Sequence, residues 1–226
     1  MDHIREHRSV LASAEKHLLV AIAGRLPAWV TSDALTALGL ASMPAAAWAF
    51  AMIPRSQWAA AAFTLALAAN WFGDSLDGTL ARVRRQPRPR YGYYVDHVID
   101  LAGTATLVAG MAASGWMHAG VGGVLLAAYF LVAAETYLAT HAAGTFRLSF
   151  AGVGPTELRI ALAGGAWYVS AHPWVDIAGR RLLLLDVSAL VASAGFVVVF
   201  VVSAIRTARE LHRAEPVPRE GDERAA

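Results

Sequence analysis

The stretch that decides the fold runs from residue 70 to residue 100 and reads NWFGDSLDGTLARVRRQPRPRYGYYVDHVID. Its first charged residue follows an uncharged run, 56–73, and its last precedes an apolar run that begins at Leu101. Four carboxylates therefore lie where apolar sequence begins, namely those of Asp74, Asp77, Asp96 and Asp100. A charged side chain inside a membrane segment costs about 2.5–3.5 kcal/mol on insertion scales, so such residues mark a functional site by default.

Composition indicates an integral membrane protein. The chain has 226 residues, of which 57% are hydrophobic, and its mean hydropathy is +0.46, too apolar for an ordinary soluble domain. A membrane-spanning helix needs about 20 mainly apolar residues. Runs near this length occur at 34–54, 56–81, 92–114, 119–142, 155–175 and 185–207. We predict an all-α polytopic integral membrane protein with six transmembrane helices.

The segments on either side of these runs have a different character. Residues 8–26 alternate aliphatic and charged side chains at helical spacing and stop before Pro27, a pattern typical of an amphipathic helix lying in the membrane interface. The alternative is that they begin a longer first span. We expect an N-terminal interfacial segment over 1–32, a six-helix membrane domain over 33–208, and a disordered cytoplasmic tail over 209–226.

The distribution of basic residues predicts the orientation. Of 19 Lys and Arg residues, only Arg55, Arg180 and Arg181 fall on the side of the membrane opposite the termini. Because cytoplasmic loops are enriched in Lys and Arg, both termini and the acidic stretch are expected to face the cytoplasm, with a bacterial inner membrane as the expected location. The chain has no cysteine, which excludes thiolate catalysis and thiolate metal sites.

Helical spacing turns the acidic stretch into two stripes. Residues three and four apart share a helix face. One stripe consists of Asn70, Asp74, Asp77, Gly78, Ala81 and Arg82; the next helix carries Gly92, Asp96 and Asp100. A short Arg-rich loop joins the two helices, so the stripes are expected to face each other, and the small residues leave room beside the acids.

Four facing carboxylates need a cationic partner. Oxygen-only ligands suit Mg²⁺, Mn²⁺ or Ca²⁺ better than zinc, and such acids can hold two ions about 4 Å apart for phosphoryl displacement. Arg82 is a planar partner for phosphate, which suggests a diphosphate substrate. Singly, each acid could instead serve packing, a proton relay or an ion path.

The spacing of eight residues resembles the signature of the CDP-alcohol phosphotransferase family. The matching residues are Asp74, Asp77, Gly78, Ala81, Arg82, Gly92, Asp96 and Asp100. The resemblance implies transfer of a substituted phosphate from a CDP-linked donor, CDP-diacylglycerol or a CDP-alcohol, to a hydroxyl acceptor, with release of CMP, in phospholipid biosynthesis. It also implies a homodimer and two divalent cations, Mg²⁺ or Mn²⁺.

The resemblance also implies a role for each motif residue. Asp74, Asp77, Asp96 and Asp100 would form the metal site, and Asp100 would be the catalytic base. The nucleotide would be bound by Gly78, Ala81, Gly92 and Arg82. Upstream, VTSDALTALGL (30–40) resembles the family's cytidine-contacting segment. Asp33 and Thr36 match and are nucleotide-binding candidates, whereas Ser32 replaces the usual proline; the alternative is that this segment only caps a helix.

The acceptor is less well defined by the sequence. Arg147 and Arg159 flank a predicted cytoplasmic loop and are candidates to bind a phosphate on the acceptor, or else they are topology charges. The segment DHVID and residues 135–160 loosely resemble the choline and ethanolamine phosphotransferase branch, which would use diacylglycerol as acceptor. A transporter and a lipid-binding scaffold are the competing classes, and no nucleic-acid partner is expected.

Overall fold

A computed structural model describes residues 4–6, 12–143, 145–147 and 154–215. Within these ranges, seven α-helices account for most of the chain. They are α1 (Ala12–Ala23), α2 (Ser32–Met52), α3 (Ala59–Val83), α4 (Pro89–Ala113), α5 (Ala119–Ala143), α6 (Pro155–Ala171) and α7 (Leu184–Ala214). Four short strands also form: β1 (Ile4–Glu6), β2 (Thr145–Arg147), β3 (Trp174–Ile177) and β4 (Arg180–Leu183).

Each of the six apolar runs corresponds to one helix from α2 to α7. In the described part of the chain, three helical segments are long and apolar enough to cross a membrane: Ser32–Arg55, Ala119–Ala143 and Leu184–Ala214. α3 and α4 carry the charged motif, and α6 has only 17 residues. The protein is therefore a mostly helical integral membrane protein, and the six crossings stay a prediction.

The structure differs from the sequence prediction at several element boundaries. The run predicted to extend over 155–175 is helical only to Ala171, since Pro173 disfavours helical backbone at the residue before it. The chain then forms an antiparallel β3–β4 hairpin, which the all-α prediction did not include. α7 continues to Ala214, into the segment expected to be disordered, and residues 216–226 lie outside the described residues.

The N-terminal helix ends three residues earlier than predicted. α1 covers 12–23, and β1 pairs in parallel with β2; residues 1–3 and 7–11 are outside the described part. Leu19 and Ala23 of α1 are buried against Leu35, Leu76 and Leu80. α1 is therefore packed on α3, while its position in a membrane interface stays a prediction.

Close contact between α2 and its neighbours sets the position of the acidic helices. A Cβ atom placed on Gly73 of α3 would lie 2.5 Å from the carbonyl oxygen of Leu35 and 2.6 Å from the backbone nitrogen of Gly39. Nearer the other end of α2, Phe50 and Phe63 pack edge to face with ring centroids 5.1 Å apart. This crossing leaves no space for any side chain at Gly73.

Candidate active site

The turn between α3 and α4 brings the two predicted stripes together. At the end of α3, Gln86 N–H donates to the carbonyl of Ala81 at 2.8 Å and Arg85 N–H donates to that of Arg82 at 3.1 Å. This pattern, with Arg85 in the left-handed region at φ 58°, is a Schellman motif. Pro89 then starts α4, where its missing N–H has no helical partner to lose. The chain reverses within five residues.

A cavity of about 340 Å³ opens between the N-terminal part of α2, the end of α3 and the start of α4. Its lining includes all six predicted nucleotide-binding residues and two of the predicted metal ligands. These are Asp33, Thr36, Gly78, Ala81, Arg82 and Gly92, with Asp77 and Asp96. Asp74 and Asp100 are not part of this lining. Six of the nine stripe residues therefore border one cavity.

Both carboxylate oxygens of Asp77 accept hydrogen bonds. Its side chain is buried, with 6% exposure; Thr36 Oγ1 donates to Oδ2 at 2.6 Å and Gly78 N–H donates to Oδ1 at 2.5 Å. Ser32 Oγ donates to the backbone carbonyl of Asp77 at 2.8 Å. Two hydroxyls at the start of α2, one turn apart, thus hold the Asp77 region of α3.

The residue that caps the N-terminus of α2 is Thr31. Thr31 accepts a hydrogen bond from Ala34 N–H at 3.1 Å, which is the N-cap interaction. Asp33 instead forms an exposed ion pair with Arg88, whose guanidinium carbon lies 4.3 Å from the centroid of the Tyr91 ring. Thr31 therefore caps α2. The Asp33 side chain pairs with Arg88, and that of Thr36 donates to Asp77.

Asp74 pairs with Arg159 of α6. Arg159 Nη2 donates to Asp74 Oδ2 at 2.6 Å, and its Nε donates to Asn70 Oδ1 at 2.8 Å. Asn70 Nδ2 in turn donates to the carbonyl of Gly39 at 3.0 Å. Only 15% of the Arg159 side chain is exposed. One of the two candidate acceptor residues is thus built into the acidic cluster.

Asp100 is an exposed carboxylate at the edge of this cluster. It interacts electrostatically with Asp74, Asp77 and Asp96 and with the guanidinium of Arg159. The four acids and Arg159 therefore form one electrostatic unit, although they come from three helices.

The four acids of this unit offer only carboxylate oxygens as metal ligands, and such ligands fit Mg²⁺ or Mn²⁺. The geometry is not that of an assembled metal site. Among the described residues, no three acidic or histidine side chains lie together closely enough to hold an ion. Arg159 supplies a positive charge beside Asp74.

The two motif glycines are not required by packing. A Cβ atom at Gly78 would meet only Arg82 Nη1, at 3.4 Å, and one at Gly92 would have no atom within 4 Å. Both glycines border the cavity, so their missing side chains leave space in the cavity itself.

Arg147 and Arg84 have partners of different kinds. Arg147 lies in β2, paired in register with Glu6, and its side chain lies outside what the structure describes. Arg84 donates to the carbonyls of Val30, Pro27 and Leu26, the last two at 2.8 and 3.3 Å. In the sequence, Arg84 is one of several arginines between two predicted spans, and nothing in its spacing indicated that it binds the loop before α2.

A family model and a solved structure are similar to this chain. The family described as CDP-alcohol phosphatidyltransferase matches residues 29–202. A solved structure of Mycobacterium tuberculosis phosphatidylinositol phosphate synthase with CDP-DAG bound is similar, with a TM-score of 0.53 and 23% identity over 87% of this chain and 92% of that one. A search of curated proteins gave no match. The chain therefore belongs to the CDP-alcohol phosphatidyltransferase family, and it is an enzyme that transfers a substituted phosphate from a CDP-linked donor to a hydroxyl acceptor in phospholipid synthesis.

Proposed function

We propose that the donor is CDP-diacylglycerol and that the acceptor is a phosphorylated polyol of the inositol phosphate type. The observation that carries the proposal is the position of Arg159, a mostly buried guanidinium within the acidic cluster. The similar synthase, whose structure contains CDP-DAG, supports the choice of donor.

The nucleotide half of the donor is assigned to the cavity between α2, α3 and α4. Gly78 and Gly92 leave space there without being needed for packing, and Arg82, which donates to Thr79 Oγ1 at 3.0 Å, is the proposed diphosphate ligand. Asp33, Thr36 and Ala81 complete the proposed nucleotide contacts.

The acceptor phosphate is assigned to Arg159. A guanidinium binds phosphate through paired N–H donors, and that of Arg159 already uses Nε and Nη2 toward Asn70 and Asp74. A phosphate would compete with the Asp74 carboxylate for this group. Arg147 is the second proposed acceptor residue, from its sequence position alone.

Asp100 is the proposed general base. Its exposed carboxylate is accessible to an acceptor hydroxyl. The acceptor oxygen forms a bond to the phosphorus distal to cytidine, the diphosphate P–O bond breaks, CMP leaves, and the hydroxyl proton moves to Asp100. General-base assistance of this kind contributes about 10²–10⁴ in rate.

Asp74, Asp77, Asp96 and Asp100 are the residues that would hold two divalent cations, Mg²⁺ or Mn²⁺. When bound, such ions supply positive charge to the phosphate oxygens. Thr36 and Gly78 hold the Asp77 carboxylate in one orientation, facing the cavity.

The proposed setting is a bacterial inner membrane, with the cavity and both termini on the cytoplasmic side and the chain as a homodimer. The loop arginines support this orientation. Labelling of single cysteines introduced at Gln86 and at Gly179 in intact and opened cells checks it. Gln86 should react only in opened cells and Gly179 in both; the reverse pattern contradicts the orientation. Chemical crosslinking in membranes checks the dimer.

A coupled assay for CMP tests the reaction. Purified protein in detergent with Mg²⁺ or Mn²⁺ is given CDP-diacylglycerol with inositol phosphate, glycerol 3-phosphate or unphosphorylated inositol, and in a separate arm CDP-choline with diacylglycerol. We expect CMP from CDP-diacylglycerol with a phosphorylated polyol only. CMP from the CDP-choline arm would place the enzyme in the choline and ethanolamine branch.

A variant pair tests the role of Arg159. Arg159→Ala should raise the acceptor KM by about tenfold or more, the effect of losing a charged hydrogen bond, and leave the donor KM within about twofold. Arg206→Ala is the matched control, because Arg206 pairs with Glu210 on the exposed face of α7. Equal acceptor KM values for the two variants would contradict the assignment.

A further inference from the structure

Glu15, on the N-terminal helix, contacts the same two helices as Arg159. Its Oε1 accepts hydrogen bonds from Trp71 Nε1 at 2.7 Å, from Thr156 Oγ1 at 2.9 Å and from Ser75 Oγ at 3.4 Å. Trp71 and Ser75 belong to α3 and Thr156 to α6. One carboxylate oxygen of α1 therefore connects α3 to the first turn of α6.

This connection runs beside the link made by Arg159. Trp71 and Ser75 directly follow Asn70 and Asp74, the two residues that accept from Arg159. On α6, Thr156 precedes Arg159 by three residues, so the two side chains are one turn apart on the same side of the helix. Glu15 and Arg159 thus make two adjacent cross-connections between α3 and α6.

The first turn of α6 is less buried than the second half of the helix. Of the residues of α6, only Ala166 and Val169, in its second half, are buried. α1, by contrast, is anchored independently of Glu15 by Leu19 and Ala23, which pack against Leu76 and Leu80. Removal of the Glu15 carboxylate should therefore loosen the first turn of α6 and leave α1 in place.

We propose that Glu15 is a positioning residue that holds the first turn of α6 against α3 and so aligns Arg159 with the acceptor phosphate. This inference rests on the proposed acceptor role of Arg159. It assigns to the N-terminal helix a part in acceptor selectivity, beyond any role at the membrane surface.

The kinetic test compares Glu15→Ala, Glu15→Gln and Thr156→Val, with inositol phosphate as the acceptor probe. Glu15→Ala should raise the acceptor KM by about tenfold, and Thr156→Val, which removes one of the three hydrogen bonds to Glu15 Oε1, by about two- to tenfold. kcat and the donor KM should stay within about twofold. Glu15→Gln keeps an acceptor oxygen and should restore most of the acceptor KM. Lys16→Ala, at the adjacent exposed position, is the control.

Hydrogen exchange supplies a second test that needs no activity. Backbone amides 158–163 of α6 should exchange faster in Glu15→Ala and Thr156→Val than in the wild type and in Lys16→Ala, while amides of α1 stay unchanged. If the wild type releases no CMP with inositol phosphate, the proposed acceptor is wrong, and exchange still decides whether Glu15 holds α6. Unchanged exchange, or donor and acceptor KM values rising together, would overturn the role of Glu15; Thr156→Val decides if Glu15→Ala fails to fold.

Discussion

Two glycines five residues apart on α3 should respond in opposite ways to the same substitution. At Gly73, an added methyl would lie 2.5 Å from the Leu35 carbonyl oxygen and 2.6 Å from Gly39 N, so α2 and α3 would have to separate. Overpacking costs about 1–3 kcal/mol, and here both contacts are backbone atoms that cannot rotate away. This places the cost in the upper part of that range, so the gain of about 1 kcal/mol from replacing glycine by alanine in a helix leaves a net loss of about 1–2 kcal/mol.

At Gly78, by contrast, the gain in helix propensity should exceed the cost of the added methyl group. The added methyl meets only the flexible end of Arg82, at 3.4 Å, so Gly78→Ala should be at least as stable as the wild type. The methyl would instead reduce the cavity of about 340 Å³ proposed for the nucleotide. We expect the donor KM to rise by about tenfold, which corresponds to about 1.4 kcal/mol of lost binding, with the acceptor KM unchanged.

Thermal unfolding in detergent and CMP release measure both effects on the same preparations. Gly73→Ala should lower the unfolding midpoint by several degrees, at about 2–4 °C per kcal/mol for a chain of this size, and Gly78→Ala should not. A donor KM for Gly78→Ala within twofold of the wild type would refute the assignment of the cavity to the nucleotide. An unchanged midpoint for Gly73→Ala would refute the close crossing of α2 and α3.

Three further substitutions test the site and its support. Asp100→Asn should lower CMP release by about 10²–10⁴ while CDP still stabilises the protein in a thermal-shift assay; near-normal turnover would exclude Asp100 as the base. Thr36→Val removes the 2.6 Å hydrogen bond to Asp77 and should reduce the free energy of unfolding by about 1–3 kcal/mol, because a buried charged acceptor loses its donor; denaturant titration measures it. Arg84→Ala frees the backbone carbonyls of residues 26, 27 and 30 and should speed limited proteolysis of that loop, with an Arg90→Ala variant as control.

The parts of the fold that were predictable from sequence are those with a local cause. Each apolar run near span length became one helix from α2 to α7, since run length and composition decide where a helix forms. The facing of the two stripes was also predictable, because helical period fixes which of Asp77, Gly78, Ala81 and Arg82 share a face and the short turn brings Gly92 and Asp96 opposite them.

The parts that were not predictable depend on partners distant in sequence. The pairing of Asp74 with Arg159 joins residues 85 positions apart, and that of Glu15 with Thr156 joins residues 141 apart. No spacing rule selects these partners; helix packing does. The β3–β4 hairpin was missed for a related reason, because its apolar residues extend the pattern of α6 and only Pro173 signals the break.

Ser32 illustrates how a departure from the family pattern can be accommodated locally. Proline is expected at this position, and it would restrict the backbone without adding a donor. Ser32 is the first residue of α2 instead and donates to the backbone carbonyl of Asp77, while Thr36, one turn later, donates to the Asp77 carboxylate. These two hydroxyls can reach α3 only because Gly39 and Gly73 let the helices approach closely. The orientation of Asp77 toward the cavity thus depends on the close helix crossing one turn away, and this is why Gly73, which does not line that cavity, is expected to matter for the site.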